Sequence, residues 1–350
     1  MRIRPILPFA LAILAPVLPL AAATHNTVDG LVHLIRDAIQ QQPSDGDLAR
    51  ALHRVELDER LDNRTTEELE SLVPGPKSIA ELERLREASL REPLPTALPQ
   101  FPSPPQPTMD ELQDVLSEAR QKAIAYTASL PDFICTETVV RYEQRNRDWT
   151  LRDTLTLELT YFGHKENYRL RTLNGHPTKA TFGDLGGAWS RGEFGSMLLT
   201  VFSTGSQAAF RWSNWTTLRK RPAYVLSFEI HVENSRYSLT AGKLGEPAAT
   251  ASVGEHGLVY IDRETKEVIR LDSVADSIPK GFPLVAATRT LDYGPADVGG
   301  LTFLLPLRAD VRLVPRDSNP PTRNQVEFTA YRKFAGESSI SFGDAVEEKK

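Results

Sequence analysis

Cys135 is the sole thiol in the chain. A nucleophilic thiolate needs a neighbouring base and an electropositive setting. Its neighbours are Phe133 and Ile134, and Glu137 falls two positions on, on the same face of a strand. That setting predicts a buried, protonated, structural thiol. The seven histidines, His25, His33, His53, His164, His176, His231 and His256, contain no H-x-x-x-H or H-x-H pair that would seat a metal from one helix or strand. No metal site is predicted. A G-x-S-x-G elbow, a P-loop and a dinucleotide fingerprint are all absent, so no catalytic residue and no cofactor is assigned. A hydrolase assembled from scattered residues is the least favoured function class.

Binding chemistry has more to work with. Gly183 to Gly195 holds five glycines and runs into an amphipathic stretch, the arrangement that binds anions at a helix N-terminus. Glu193 would repel a phosphate there and instead forms a capping box with Ser190. The bend Arg219-Lys220-Arg221 reads as a solvated hairpin tip. Val73-Pro74-Gly75-Pro76-Lys77, between two short helices, has the outline of a DNA-phosphate loop, yet two prolines remove donors. Residues 27–92 also carry fifteen acidic against nine basic side chains, which excludes nucleic acid as a partner. Trp212 and Trp215, three apart in one strand, should point to opposite faces, one in the core and the other available for interaction.

These residues need elements to position them. Arg2 and Arg4, the apolar stretch Ile6 to Leu20 broken by Pro8 and Pro16, and the small residues Ala21 to Ala23 read as a signal peptide over residues 1–23. An exported, periplasmic or extracellular protein with no membrane anchor after cleavage is expected. The formal charge of −5 falls to −7 without Arg2 and Arg4, which disfavours anionic lipid surfaces as a bulk partner. Residues 27–92 show helical spacing, with Val28, Leu31, Val32, Ile35 and Ile39 in one run and Leu48, Ala51, Leu52 and Val55 in another. Two capping boxes, Thr65 with Glu68 and Ser78 with Glu81, complete a predicted bundle of three or four short helices. From Pro93 to Pro107 seven of fifteen residues are proline, which predicts an extended linker.

A β domain over residues 108–336 follows, and then a polar tail, 337–350. Met109, Leu112, Leu116, Ala119, Ala123, Tyr126 and Leu130 predict one long amphipathic helix ending at Pro131. Strands are predicted over Phe133 to Arg145, Thr150 to Phe162 and Glu166 to Leu173, the last closed by an Asn174-Gly175 turn. Eight more follow, from Ala209 to Leu218 through Asn324 to Phe334, with short turns that predict antiparallel, sequential pairing. One helix interrupts them, Glu193 to Phe202, with Phe194, Met197, Leu198, Val201 and Phe202 on one stripe. The fold class predicted is mainly β (α+β): a curved antiparallel sheet or incomplete barrel packed on two amphipathic helices, beside a separate small helical bundle.

Within this pattern, Val259 to Thr265 (VYIDRET) and Tyr293 through Gly300 to Pro306 (YGPADVGGLTFLLP) resemble two hairpin turns of the LolA-like outer-membrane lipoprotein-sorting superfamily. The resemblance implies an incomplete antiparallel barrel whose concave face is packed by helices and, in carriers, accepts acyl chains. LDNRTTEELESLVPGPKSIAELERLREAS, LPDFICTETVVRYE, GGAWSRGEFGSML and VEFTAYRKF are similar to stretches of a group of uncharacterised exported acidobacterial proteins.

The expected function is that of a non-enzymatic binding or scaffold protein of the cell envelope. A lipid or other apolar ligand would lie in the concave face, lined or lidded by Phe194, Met197, Leu198, Val201, Phe202 and Trp212. The alternative is a structural or assembly factor with a closed β domain, contacting other envelope proteins through the helical module. Two independently folding units predict that limited proteolysis cuts first within 93–107 and leaves a stable fragment beginning near Met109. Early cutting inside the strands, with 93–107 resistant, would refute the division.

Overall fold

The computed structural model describes residues 24–146, 148–163, 165–180, 185, 196–241 and 249–334. The chain divides into two compact units, Met1–Pro102 with Thr217–Lys220, and Ser103–Thr216 with Arg221–Lys350. Residues 1–23 and 337–350, expected as signal peptide and tail, lie outside the described residues.

In the first unit β1 (Thr24–Asn26) pairs in parallel with β2 (Val55–Leu57). Four helices pack around one core: α1 (Val28–Gln40), α2 (Asp45–Leu52), α3 (Asn63–Leu72) and α4 (Pro76–Ala88). Leu31, Ile35, Leu52, Leu69 and Leu82 are fully buried, as their helical spacing requires.

Both expected capping boxes give way to aspartates. Asp62 caps α3 by accepting from the Thr65 backbone N–H at 3.1 Å, which places Thr65 inside the helix. At α4 the cap comes from another helix: Asp45 accepts from the N–H groups of Lys77 (3.0 Å) and Ser78 (2.9 Å) and from the Ser78 hydroxyl. A carboxylate answers the orphan donors of a helix N-terminus better than a neutral hydroxyl, and Asp45 adds the negative charge that the dipole favours. Gly75 makes this approach possible, because a Cβ there would stand 2.9 Å from Asp45 Oδ2. Glu81, freed from capping, pairs with Arg84 at 2.6 Å and His53 at 3.1 Å.

The proline-rich run is anchored at its first half. The Pro93 carbonyl accepts from Arg60 N–H at 2.8 Å, and Phe101 is 8% exposed within the first unit's core, under the Arg36 guanidinium. Residues 102–106 are exposed.

The second unit is an antiparallel sheet of eleven strands in the order β6-β5-β4-β3-β15-β14-β13-β12-β11-β8-β7. Their ranges are β3 (Phe133–Arg145), β4 (Asp148–Phe162), β5 (Lys165–Leu173), β6 (His176–Pro177), β7 (Ala209–Leu218), β8 (Arg221–Ile230), β11 (Gly254–Asp262), β12 (Val268–Asp276), β13 (Leu284–Val298), β14 (Leu301–Pro315) and β15 (Thr322–Lys333). A separate hairpin joins β9 (Ser238–Ala241) to β10 (Ala249–Ser252). The sheet is not closed into a barrel, since β6 and β7 stand at its two ends.

Pairing departs from the expected sequential order at two places: β8 pairs with β11, because β9 and β10 form their own hairpin, and β3 pairs with β15. β3 meets the last strand, β15, with Val139 opposite Val326. The chain therefore leaves one edge at β5–β6 and resumes at the other edge with β7. Tight turns hold the hairpins. Asn174 (φ 50°) with Gly175 (φ 77°) and Arg219 (φ 50°) with Lys220 (φ 66°) carry the paired positive φ values of a two-residue turn that matches strand twist. Irregular register at Arg141/Tyr142, Tyr260/Ile261 and Asp292/Tyr293 supplies local bending. Gly257 permits close approach of β11 to β12, because a Cβ there would lie 1.9 Å from the Asp272 carbonyl oxygen.

One face of the sheet is apolar and covered by α5 (Met109–Ser129) and α6 (Ser196–Phe202), which pack on each other. The opposite face carries ion pairs across neighbouring strands. Arg270 of β12 holds Asp292 of β13 through two bonds (2.7 and 3.1 Å), and Arg323 of β15 reaches Asp310 of β14, which Arg312 on the same strand also binds. Burial raises the Asp310 carboxyl, but the two guanidiniums outweigh it and hold the group below the usual carboxylate range.

Phe101 offers a direct check on where the first unit ends. Phe101→Ala should lower stability by about 3–5 kcal/mol in urea unfolding of the full chain, the cost of removing a core aromatic. A change below about 1 kcal/mol would make the whole run a solvated spacer.

Candidate functional site

The covered face is built by strand alternation. Phe133, Cys135 and Val139 of β3, Leu155, Leu157, Leu159 and Tyr161 of β4, and Val326 and Phe328 of β15 all point to it. Leu112, Val115, Ala119, Ala123 and Tyr126 form the buried stripe of α5, at spacings of three and four. Met109, in the first turn, is exposed instead.

The sequence-derived lid residues fall in this cluster where they are described. Met197 (3% exposed), Leu198 (2%), Val201 (0%) and Phe202 (0%) of α6 are inserted into it, and Phe202 stacks on Phe210 of β7 at 5.5 Å. Phe194, the Ser190/Glu193 capping box and most of the glycine-rich lead-in lie outside the described residues.

Trp212 is half-buried, and its expected opposition to Trp215 is overturned. The two rings meet edge to face at 5.2 Å, and both approach Tyr224 of β8, at 6.5 and 4.5 Å. Alternation breaks at Trp215 and Thr216, two successive buried residues, and a one-residue offset moves a side chain to the other face.

This aromatic trio ties the start of α5 to the sheet. Trp215 Nε1 donates to the Pro105 carbonyl at 3.0 Å, and Tyr224 donates to Glu111 Oε1, in the first turn of α5, at 2.8 Å. Burial, together with that carboxylate, pushes the Tyr224 hydroxyl up to about 12. The Arg263 guanidinium lies 5.3 Å from the Trp215 ring and the Lys266 ammonium 5.4 Å from the Tyr224 ring. Both cations sit on the β11–β12 turn, where Asp262 accepts from the backbone N–H groups of Glu264 and Thr265 and from Arg221. Sequence reasoning missed Tyr224, Glu111, Arg263 and Lys266, which come from β8, α5 and the β11–β12 turn. The only available signal was the D-x-x-T turn that carries Arg263.

Polar groups also enter the covered face. Tyr126 on α5 meets Tyr293 on β13 edge to face at 6.1 Å, and Tyr331 donates to the Pro306 carbonyl. Glu137 is 7% exposed on the same strand face as Cys135. Burial first, and Glu137 second, push the Cys135 thiol well up. Toward the far ends of the strands, Arg289 donates to Glu255 (2.7 Å) and to Ser273 (3.1 Å) and lies 3.9 Å over the Tyr237 ring. Beyond it Leu239, Val253, Phe282 and Leu284 close a second, smaller apolar cluster with Ala275, Ala287 and Leu313.

Among the described residues no three histidine, cysteine or acidic side chains converge to hold a metal. His33, His53 and His256 each face a single carboxylate instead. No described helix is long and apolar enough to cross a membrane.

No protein-family model matches the chain, and a comparison with curated proteins finds no relative. Solved structures of similar outline exist. A domain described as a putative outer membrane lipoprotein-sorting protein from Vibrio parahaemolyticus shares 12% identity over 65% of this chain and 94% of its own, with a TM-score of 0.31. A LolA superfamily protein from Nitrosomonas europaea shares 10% over 64% and 94%, at 0.29. A DUF1329 family protein from Desulfovibrio piger shares 8% over 65% and 94%, at 0.31. At that level of likeness no site residue carries over from one chain to another.

Cys135, at 0% exposure, should react with a thiol reagent only after denaturant is added. Rapid labelling of the native protein at neutral pH would show that the covered face opens to solvent.

Proposed function

We propose that this chain is an exported, non-enzymatic binding protein of the cell envelope whose β domain takes an apolar chain onto the helix-covered face when α6 yields its place. The observation that carries this reading is the insertion of Met197, Leu198, Val201 and Phe202 into that face at 0–3% exposure. Burying four such side chains is worth roughly 6–12 kcal/mol against full exposure. An acyl chain of about twelve to fourteen carbons recovers about 10 kcal/mol at ~0.8 kcal/mol per methylene. Helix and guest are therefore close to balanced, which is the condition for exchange. The seven described residues of α6 are too few to hold a helix by themselves, so α6 is kept in place by its buried side chains. The signal-peptide pattern of residues 1–23 supports export.

A second reading is a closed scaffold that engages other envelope proteins through the helical module. The complete burial of Val201 and Phe202 favours it, because a permanently packed face has no room for a guest.

Met197→Ala separates the two. In either reading it should lower stability by about 2–5 kcal/mol. In a binding protein it should also tighten uptake of a fluorescent acyl probe, because the competing helix is weakened. Failure of the wild-type protein to bind the probe at micromolar concentration would remove the binding reading and leave the scaffold.

A further inference from the structure

The apolar face contains a polar group that its own packing does not use. Tyr126 is 9% exposed, and its hydroxyl is buried with no hydrogen-bond partner. A phenylalanine would fill the same space without stranding a donor, and leaving one unpaired is unfavourable. The hydroxyl is not isolated. Tyr293 stands edge to face with it, and Tyr331, Cys135 and Glu137 share the surrounding core. These groups come from α5, β3, β13 and β15, so they meet only in the fold.

We propose that the Tyr126 hydroxyl anchors the polar head of the guest, and that this head is uncharged and bears a hydrogen-bond donor, such as an alcohol or an amide. This rests on the binding reading above and names the ligand class for the same face. The tail would take the place of α6, which packs on α5 within the same apolar cluster. The charge preference follows from the neighbours. Glu137 and Glu166 carry carboxylates close enough to act on Cys135, and Glu166 also acts on Tyr126. Burial first, then Tyr293, Tyr161 and Glu166, raise the Tyr126 hydroxyl well above its ordinary range, so it stays a neutral donor and acceptor. A carboxylate head would add another negative charge in a low-dielectric setting. Arg332, the nearby cation, is exposed and faces Glu158 at 3.4 Å.

The experiment is displacement of the fluorescent acyl probe from the full-length protein, with 1-monomyristoylglycerol and with myristate at pH 7.5, for wild type and Tyr126→Phe. Wild type should prefer the glyceride at least tenfold. Tyr126→Phe should weaken the glyceride about tenfold, leave probe and myristate within about twofold, and keep the melting temperature or raise it. An unchanged glyceride constant, or equal weakening of all three ligands, would overturn the proposal. So would a lower melting temperature with the preference intact, since the hydroxyl would then hold only an ordered water. A wild type that binds no probe removes the binding reading itself. One that binds the probe but shows no Tyr126 dependence removes the head-group assignment alone.

Discussion

An open antiparallel sheet with one apolar face is stable in water only if something covers that face, and the second unit is organised by this requirement. Strand alternation gathers Leu155, Leu157, Leu159, Val259, Leu271, Leu291 and Leu305 on one side. Leaving them wet would forfeit roughly 1.5–3 kcal/mol each. α5, entering just before β3, supplies most of the cover, and α6 lies within the connection that joins one sheet edge to the other. The β3–β15 pairing brings the first and last long strands of the domain together, so the cover cannot form from local sequence alone.

Polarity is distributed unequally between the two faces. On the side opposite α5 and α6, Arg270 with Asp292 and Arg323 with Asp310 cross between neighbouring strands, where they disfavour a slipped register. On the covered side, Arg289 with Glu255 and Ser273 separates the large apolar cluster from the smaller one. A buried ion pair contributes little net stability against a hydrophobic replacement. Its physical effect here is to divide the face into two compartments, and only the larger is covered by α5 and α6. Tyr126 brings polarity into that compartment from the helix side.

The first unit obeys a different rule. Its helices are short, so their ends weigh heavily, and the N-terminus of α4 is satisfied by a carboxylate from α2. Gly75 is the residue that lets the two helices approach. Such caps are long-range contacts, thirty-two and thirty-three positions apart for Asp45 with Lys77 and Ser78, and a search for local capping boxes passes over them.

Periodicity by itself determined the elements: β3 and β7 at their predicted bounds, α5 from Met109, and the covered apolar stripe of α6 at Met197, Leu198, Val201 and Phe202. These are properties of a single segment, in which a repeat of 2 or 3.6 residues places side chains on one face whatever the rest of the chain does. The capping aspartates, the meeting of Trp212 with Trp215 and Tyr224, the β3–β15 pairing and the company around Tyr126 were decided by tertiary structure alone. Each depends on which distant segment arrives at a given place, and register and pairing order set that. The physical reason is that alternation specifies a face but not the neighbour across it, and chemistry between side chains depends on the neighbour.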